Sequence, residues 1–222
     1  MKTILEVCTC RATHLGSHLG SPLGRSKLLE DWQVMPVRYC LNPEYIYQTI
    51  SVLESINSKT FNKLAREDIH PEYIKSIEYT ENLEIDAYLI EISSIKYKDS
   101  STPSGWNKYN KESFFKNLNY IKELCQNKKI IWISSANVRF TERHMNLFNN
   151  RDALFSDSML ISRQKIDLWL QEFNEPTIYP SEILKDKYAE EVFAKDRDLT
   201  HYNSETEKET RKEIEIKICN LL

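Results

Sequence analysis

Short apolar runs alternate along this chain with longer stretches in which apolar residues return every three or four positions. "KTILEV" (2–7), "QVMPVRY" (33–39), "AYLIEIS" (87–93), "KIIWIS" (129–134) and "PTIYPS" (176–181) are mostly continuous rather than alternating. That pattern predicts strands buried on both faces. Between them, Asn42-Pro43-Glu44 sets a capping residue before a proline at a first helical position, ahead of Ile46, Ile50 and Leu53. A second helix is predicted from Lys111, with Phe114, Phe115, Leu118, Ile121 and Leu124 on one face. A third covers Ser156 to Phe173. The last opens at Ser204-x-x-Glu207, a capping box, and runs through Ile214, Ile216 and Ile218 to Leu222.

Strand and helix in alternation predict an α/β domain of three layers, α/β/α, with a central parallel sheet of about five strands. A chain of 222 residues suits one such domain over 1–222. The polar stretch from Lys96 to Asn110 is its longest predicted loop, and loops of that length are commonly functional.

Charge and composition narrow the classes of function. A formal net charge of -3, with acidic and basic residues interleaved, supplies no broad basic field for nucleic acid. No stretch of about 18 apolar residues occurs, and the N-terminus lacks a long apolar signal core. The expectation is a soluble, cytoplasmic protein that does not insert in a membrane. Five cysteines are an odd number, and Cys40, Cys125 and Cys219 are scattered through apolar surroundings, so no disulfide framework is predicted.

Ligands of open α/β sheets bind beyond the carboxyl ends of the strands. The residues there are small and polar: Cys8, Thr9, Cys10 and Arg11 after the first strand, Ser93 and Ser94 after the third, Ser134, Ser135 and Asn137 after the fourth. "DRDLTHYNSE" (196–205) adds Asp198 and His201, three apart, just before the last helix. A carboxylate beside an imidazole orients the ring and stabilises its protonated form, as a general base requires. Taken alone, Asp-x-x-His also suits a surface loop.

A strand leading into a short turn near the chain's start, with Asp-x-x-His before the last helix, resembles the SGNH/GDSL hydrolase superfamily. "DLTHYN" is also similar to SGNH-like proteins encoded with bacterial capsule and polysaccharide biosynthesis genes. The resemblance implies a flavodoxin-like fold and the hydrolysis or transfer of acyl esters, here on a carbohydrate of a bacterial surface polysaccharide. It implies Cys10 as nucleophile, His201 as base and Asp198 as the group that orients the ring. A cysteine suits the first role because its thiolate is intrinsically nucleophilic. Thr9 is the alternative, since the family's Gly-Asp-Ser or Gly-Ser-Cys turn reads Cys8-Thr9-Cys10 here.

The chain departs from the family in two places. No glycine lies between Gly24 and Gly105, and the third-strand Gly-x-Asn-Asp block is replaced by "IEISS". An oxyanion hole would therefore use the amide of Cys10 with Ser94 or Asn137 as donor. Arg11 could hold a carboxylate or phosphate of an acceptor or of coenzyme A. No cofactor is required, and acyl-coenzyme A is a donor such an enzyme could use. Two other readings stand beside this one: a non-catalytic SGNH-like module that binds a glycan or a partner enzyme, and a sugar-nucleotide-dependent transferase. The sequence does not fix the oligomeric state.

"VCTCRATHLGSHLGSPLG" (7–24) invites two further readings. A metal site would draw on Cys8, Cys10, His14 and His18, but Cys-x-Cys is too tight for the usual zinc spacing and no second pair follows. Gly16, Gly20 and Gly24 match no phosphate-loop pattern. The stretch is expected to be a mobile loop after the first strand. Trp106 and Tyr109, in the predicted loop at 96–110, could stack on a sugar ring or pack against the rim of the sheet.

Overall fold

The computed structural model describes residues 2–8, 31–36, 45–58, 84–134, 138, 157–195 and 198–222. Their elements, in chain order, are β1 (Lys2–Val7), β2 (Trp32–Pro36), α1 (Ile46–Ser58), β3 (Ala87–Ile92), β4 (Lys96–Lys98), β5 (Trp106–Lys108), α2 (Lys111–Leu124), β6 (Lys129–Ser134), α3 (Asp157–Phe173), β7 (Thr177–Ile178), α4 (Pro180–Ile183), α5 (Ala189–Val192), β8 (Phe193–Lys195), β9 (Asp198–Tyr202) and α6 (Ser204–Leu221).

The continuous apolar runs become the middle of a parallel sheet ordered β2-β1-β3-β6-β7. Both faces of that sheet are covered, which is why its strands carry no polar alternation. On one face Leu5, Val7, Ile90, Ile92 and Trp132 pack with Ile46, Leu53, Phe114, Leu118, Ile166 and Leu170 of α1, α2 and α3. On the other, Ile4, Cys8, Leu89, Ile131, Ile133 and Ile178 pack with Ile214 and Ile218 of α6. The result is mixed α/β, a parallel sheet with helices on its two faces.

Strand boundaries follow the predicted runs at β1 and β6 and differ elsewhere for local reasons. β2 starts one residue earlier than expected, at Trp32, and Val37–Tyr39 lie outside the described residues. The run at 176–181 yields only two strand residues, because Pro180 occupies the first turn of α4, where its fixed φ favours a helix start. α2 begins at Lys111 as predicted, its Asn110 side chain accepting from the Ser113 amide at 2.8 Å.

The predicted loop at 96–110 is instead an antiparallel hairpin of β4 and β5. Its turn is closed by Asp99 N–H donating to Gly105 O at 3.0 Å, with Gly105 at a φ of 69°, which a side chain would resist. A second hairpin, β8–β9, precedes α6. Asp198 and His201, whose spacing also suits a surface loop, stand on its second strand.

Candidate functional site

In the sheet order β2-β1-β3-β6-β7 the chain winds outward in both directions from β1, and the winding reverses between β1 and β3, at whose carboxyl ends ligands of such sheets bind. Two glutamates occupy that place. Glu6 is the penultimate residue of β1 and Glu91 the penultimate residue of β3, and both are buried. β1 and β3 pair with Val7 opposite Ile90. One step further, Cys8 falls beside Glu91, with Glu6 one pleat below on the same face.

The surroundings of Cys8 follow from that register. Its thiol is buried and lies 3.5 Å from Leu89 O, to which it donates. Burial first, then the negative charges of Glu6 and Glu91, push its pKa well above that of an ordinary thiol. Cys8 is therefore a packing residue, not a nucleophile. Ser93 donates its hydroxyl to Glu91. The three acceptors and donors at this end of β3 are thus Glu91, Ser93 and Ser94, all from the segment the sequence marks as "IEISS".

Ser94 is held on the other side. It bridges Tyr45, the residue that leads into α1, and its hydroxyl oxygen accepts the Lys96 N–H at 3.1 Å. The hydroxyl proton of Ser94 is not used in that bond, so it remains a donor.

A second polar cluster caps β6 and β7. Asp167 of α3 accepts hydrogen bonds from Ser134, the last residue of β6, and from Ser181 of α4 at 2.9 Å. Burial pushes the Asp167 carboxyl up, while the two hydroxyls and the nearby Arg163 pull the other way. Arg163 and Asp167 are both buried, one helical turn apart. Their chemistry ties α3, β6 and α4 together at the carboxyl edge.

The orientation of α6 settles where the last strand lies. Lys129, which opens β6 at the amino edge of the sheet, donates to Leu221 O at 2.5 Å and Leu222 O at 3.2 Å. α6 therefore ends at the amino edge and runs antiparallel to the strands. Its 18 residues span about 27 Å, against about 20 Å for a six-residue strand, so its N-terminus passes the carboxyl edge. β9 enters the helix at that point. Asp198 and His201 are thus strand residues beside the carboxyl edge, with Asp198 in register with Lys195. The cap of α6 is Asn203, one residue before the predicted Ser204; its side chain accepts from Thr206 N at 2.9 Å and donates to Glu191 O at 2.6 Å.

Of the other residues singled out in the sequence, Thr9, Cys10, Arg11, His14, His18 and Asn137 lie outside the described residues, as do Gly16, Gly20 and Gly24. The aromatic pair of the predicted loop is occupied: Trp106 packs on Tyr45 with centroids 5.0 Å apart, and Tyr109 on Tyr97 at 4.7 Å. They pack at the rim of the sheet. Among the described residues no three His, Cys, Asp or Glu side chains are grouped to hold a metal ion, and no helix is long and apolar enough to cross a membrane.

Sequence reasoning passed over Glu6 and Glu91. Their signal was a single charge inside each of two apolar runs, a position that a buried strand does not otherwise tolerate. Compared with known proteins, the chain matches no family model and no curated sequence.

Proposed function

We propose that the protein is an SGNH-like enzyme with a flavodoxin-like α/β/α fold. It would transfer or hydrolyse acyl groups of a carbohydrate in the synthesis of a bacterial surface polysaccharide, in the cytoplasm. The parallel sheet order β2-β1-β3-β6-β7, in which the first two strands are exchanged and the rest follow in chain order, supports the flavodoxin-like assignment. The observation that carries the functional reading is the course of β9. The strand bearing Asp198 and His201 runs into α6 at the carboxyl edge of the sheet, and β1 ends at that edge with Val7, three residues before Cys10.

In this reading Cys10 attacks the acyl carbonyl, forming a thioester as the leaving alkoxide or coenzyme A thiolate departs. His201 takes the thiol proton and returns it to the leaving group, and Asp198 holds the imidazole. A sugar hydroxyl or water then attacks the thioester and frees Cys10. Ser94 has a hydroxyl proton free to donate to an oxyanion, since its oxygen is already an acceptor for Lys96 N–H. Asn137, Thr9 and Arg11 would contact the substrate. Acyl-coenzyme A is the donor to test first.

A second reading, a non-catalytic module that binds a glycan, is favoured by one feature. The switch point holds buried carboxylates, Glu6 and Glu91, where an acyl-transfer site needs hydrogen-bond donors.

Turnover of acetyl-coenzyme A and of p-nitrophenyl acetate by Cys10→Ser and His201→Asn variants separates the two. The enzyme reading expects losses of at least about a hundredfold with unchanged far-UV circular dichroism. Full activity in both variants refutes it, and Thr9→Ala then tests the threonine.

A further inference from the structure

We propose that the lysine-bearing face of the β4–β5 hairpin is a binding site for the pyrophosphate group of a small-molecule ligand. Side chains alternate across a strand, so Lys96 and Lys98 share one face of β4. Their cross-strand partners on β5 are Lys108 and Trp106. That face therefore carries three lysines, Lys98 and Lys108 exposed and Lys96 half-buried, beside Trp106, whose ring packs on Tyr45.

The opposite face takes the remaining polar groups. Tyr97 stacks on Tyr109 there, and Asp99 accepts from Asn107 Nδ2 at 3.1 Å and from Ser101 N at 3.0 Å. The one carboxylate of the hairpin is thus committed to its turn. Among the described residues no carboxylate pairs with Lys96, Lys98 or Lys108, whereas Lys111, just beyond, pairs with Glu172.

The pairing geometry makes this arrangement costly. Tyr109 N–H donates to Ile95 O at 2.8 Å, so Lys96 and Lys108 form a non-hydrogen-bonded pair, the closer of the two antiparallel kinds, with Cα atoms about 4.5 Å apart. Like charges directly opposite on a hairpin destabilise it. Lys98 stands one pleat away, about 7 Å along the strand. Three ammonium groups so placed suit a compact ligand of high negative charge.

The hairpin follows β3 at the carboxyl edge of the sheet, the edge where ligands of such sheets bind. The residue types choose the anion. Arginine forks match planar carboxylates, whereas lysines act as point charges that suit phosphates, and the hairpin has lysines only. A single short hairpin on a chain of net charge -3 offers too short a basic track for a nucleic-acid polymer. This inference does not depend on acyl chemistry.

The test is titration calorimetry and thermal melting of the full chain with inorganic pyrophosphate, against sulfate at matched ionic strength. Pyrophosphate is expected to bind and raise the melting temperature, and sulfate to do neither. The Lys96→Gln/Lys108→Gln variant should bind at least tenfold more weakly while melting, without ligand, no lower than wild type. A Lys208→Gln/Lys212→Gln variant on α6, with the same change of net charge, should bind as wild type does. No binding, an equal effect of sulfate, unchanged affinity in the hairpin variant or equal weakening in the α6 variant would each overturn the proposal.

Discussion

Thiol reactivity gives the most direct test of Cys10. The perturbation is a brief exposure of the native protein to iodoacetamide at pH 7, with labelling read peptide by peptide. The three cysteines in the described residues are poor competitors. Cys125, the C-cap of α2, is buried, and burial pushes its pKa up to about 12. About one Cys125 thiol in 10⁵ is then ionised at pH 7, against about three in a hundred for an ordinary thiol of pKa about 8.5. Labelling of Cys125 should be roughly three thousand times slower than that of an unperturbed thiol, before any further loss from restricted access. Cys8 is shifted in the same direction by burial and by Glu6 and Glu91. Cys219 is shifted upward too, by burial and then by Glu215. A nucleophilic Cys10 beside an imidazole should label faster than an ordinary thiol and keep labelling well below pH 8. Cys8 and Cys10 share one tryptic peptide, so fragment ions must assign the adduct. Labelling of Cys8 or Cys125 at the rate of Cys10 would refute the burial argument. A Cys10 no faster than a free thiol would remove it as nucleophile and favour glycan binding or Thr9.

Asp167 and Asn203 give two further predictions. The Asp167 carboxyl is pushed up by burial, so the folded state holds its proton more tightly than the unfolded chain does. Stability from this group is therefore lost as pH rises above the ordinary aspartate range and through the folded value. In urea unfolding between pH 4 and 7, the stability of wild type relative to Asp167→Asn should fall with rising pH; parallel curves would contradict the assigned shift. Asn203→Ala removes both the cap of α6 and the bond to Glu191 O, and should cost about 1–2 kcal/mol by chemical denaturation. Ser204→Ala, which leaves the observed cap in place, should cost less; the reverse order would restore Ser204 as the cap.

The parts of the fold legible in the sequence are those where one physical signal acts alone. β1 and β6 were bounded correctly because an apolar run, buried on both faces, ends where polar residues begin. α2 was legible because Asn110 and the Phe114, Leu118, Ile121 spacing agree. Where two signals compete, the sequence misled. Asn203 and Ser204 are both good caps, and each has a plausible partner three residues on, so composition alone does not choose between them. The Asn203 side chain also reaches Glu191 O, a contact from a distant part of the chain that no local pattern contains. The β4–β5 hairpin was missed because its strands have three residues each and its alternation sets lysine, not an apolar residue, against tyrosine.

The two glutamates show why the site was harder to read than the fold. Glu6 and Glu91 lie one residue inside their strands' ends, ahead of the post-strand residues where ligands of such sheets bind. Each alone resembles an ordinary charge at the margin of an apolar run. Only the β1–β3 register brings them to adjacent strands, on one face, at the point where the sheet's winding reverses. Burial of carboxylates there opposes stability, since an apolar residue of similar size would pack the α6 face without desolvating a charge. A chain that retains two such groups at its switch point, beside one hairpin leading into α6 and another lined with lysine, concentrates its costly residues at one edge of the sheet. Costly local choices gathered at one place are where function is expected in an otherwise consistent fold. The carboxyl edge, rather than either helical face, is therefore the surface on which ligands should be sought.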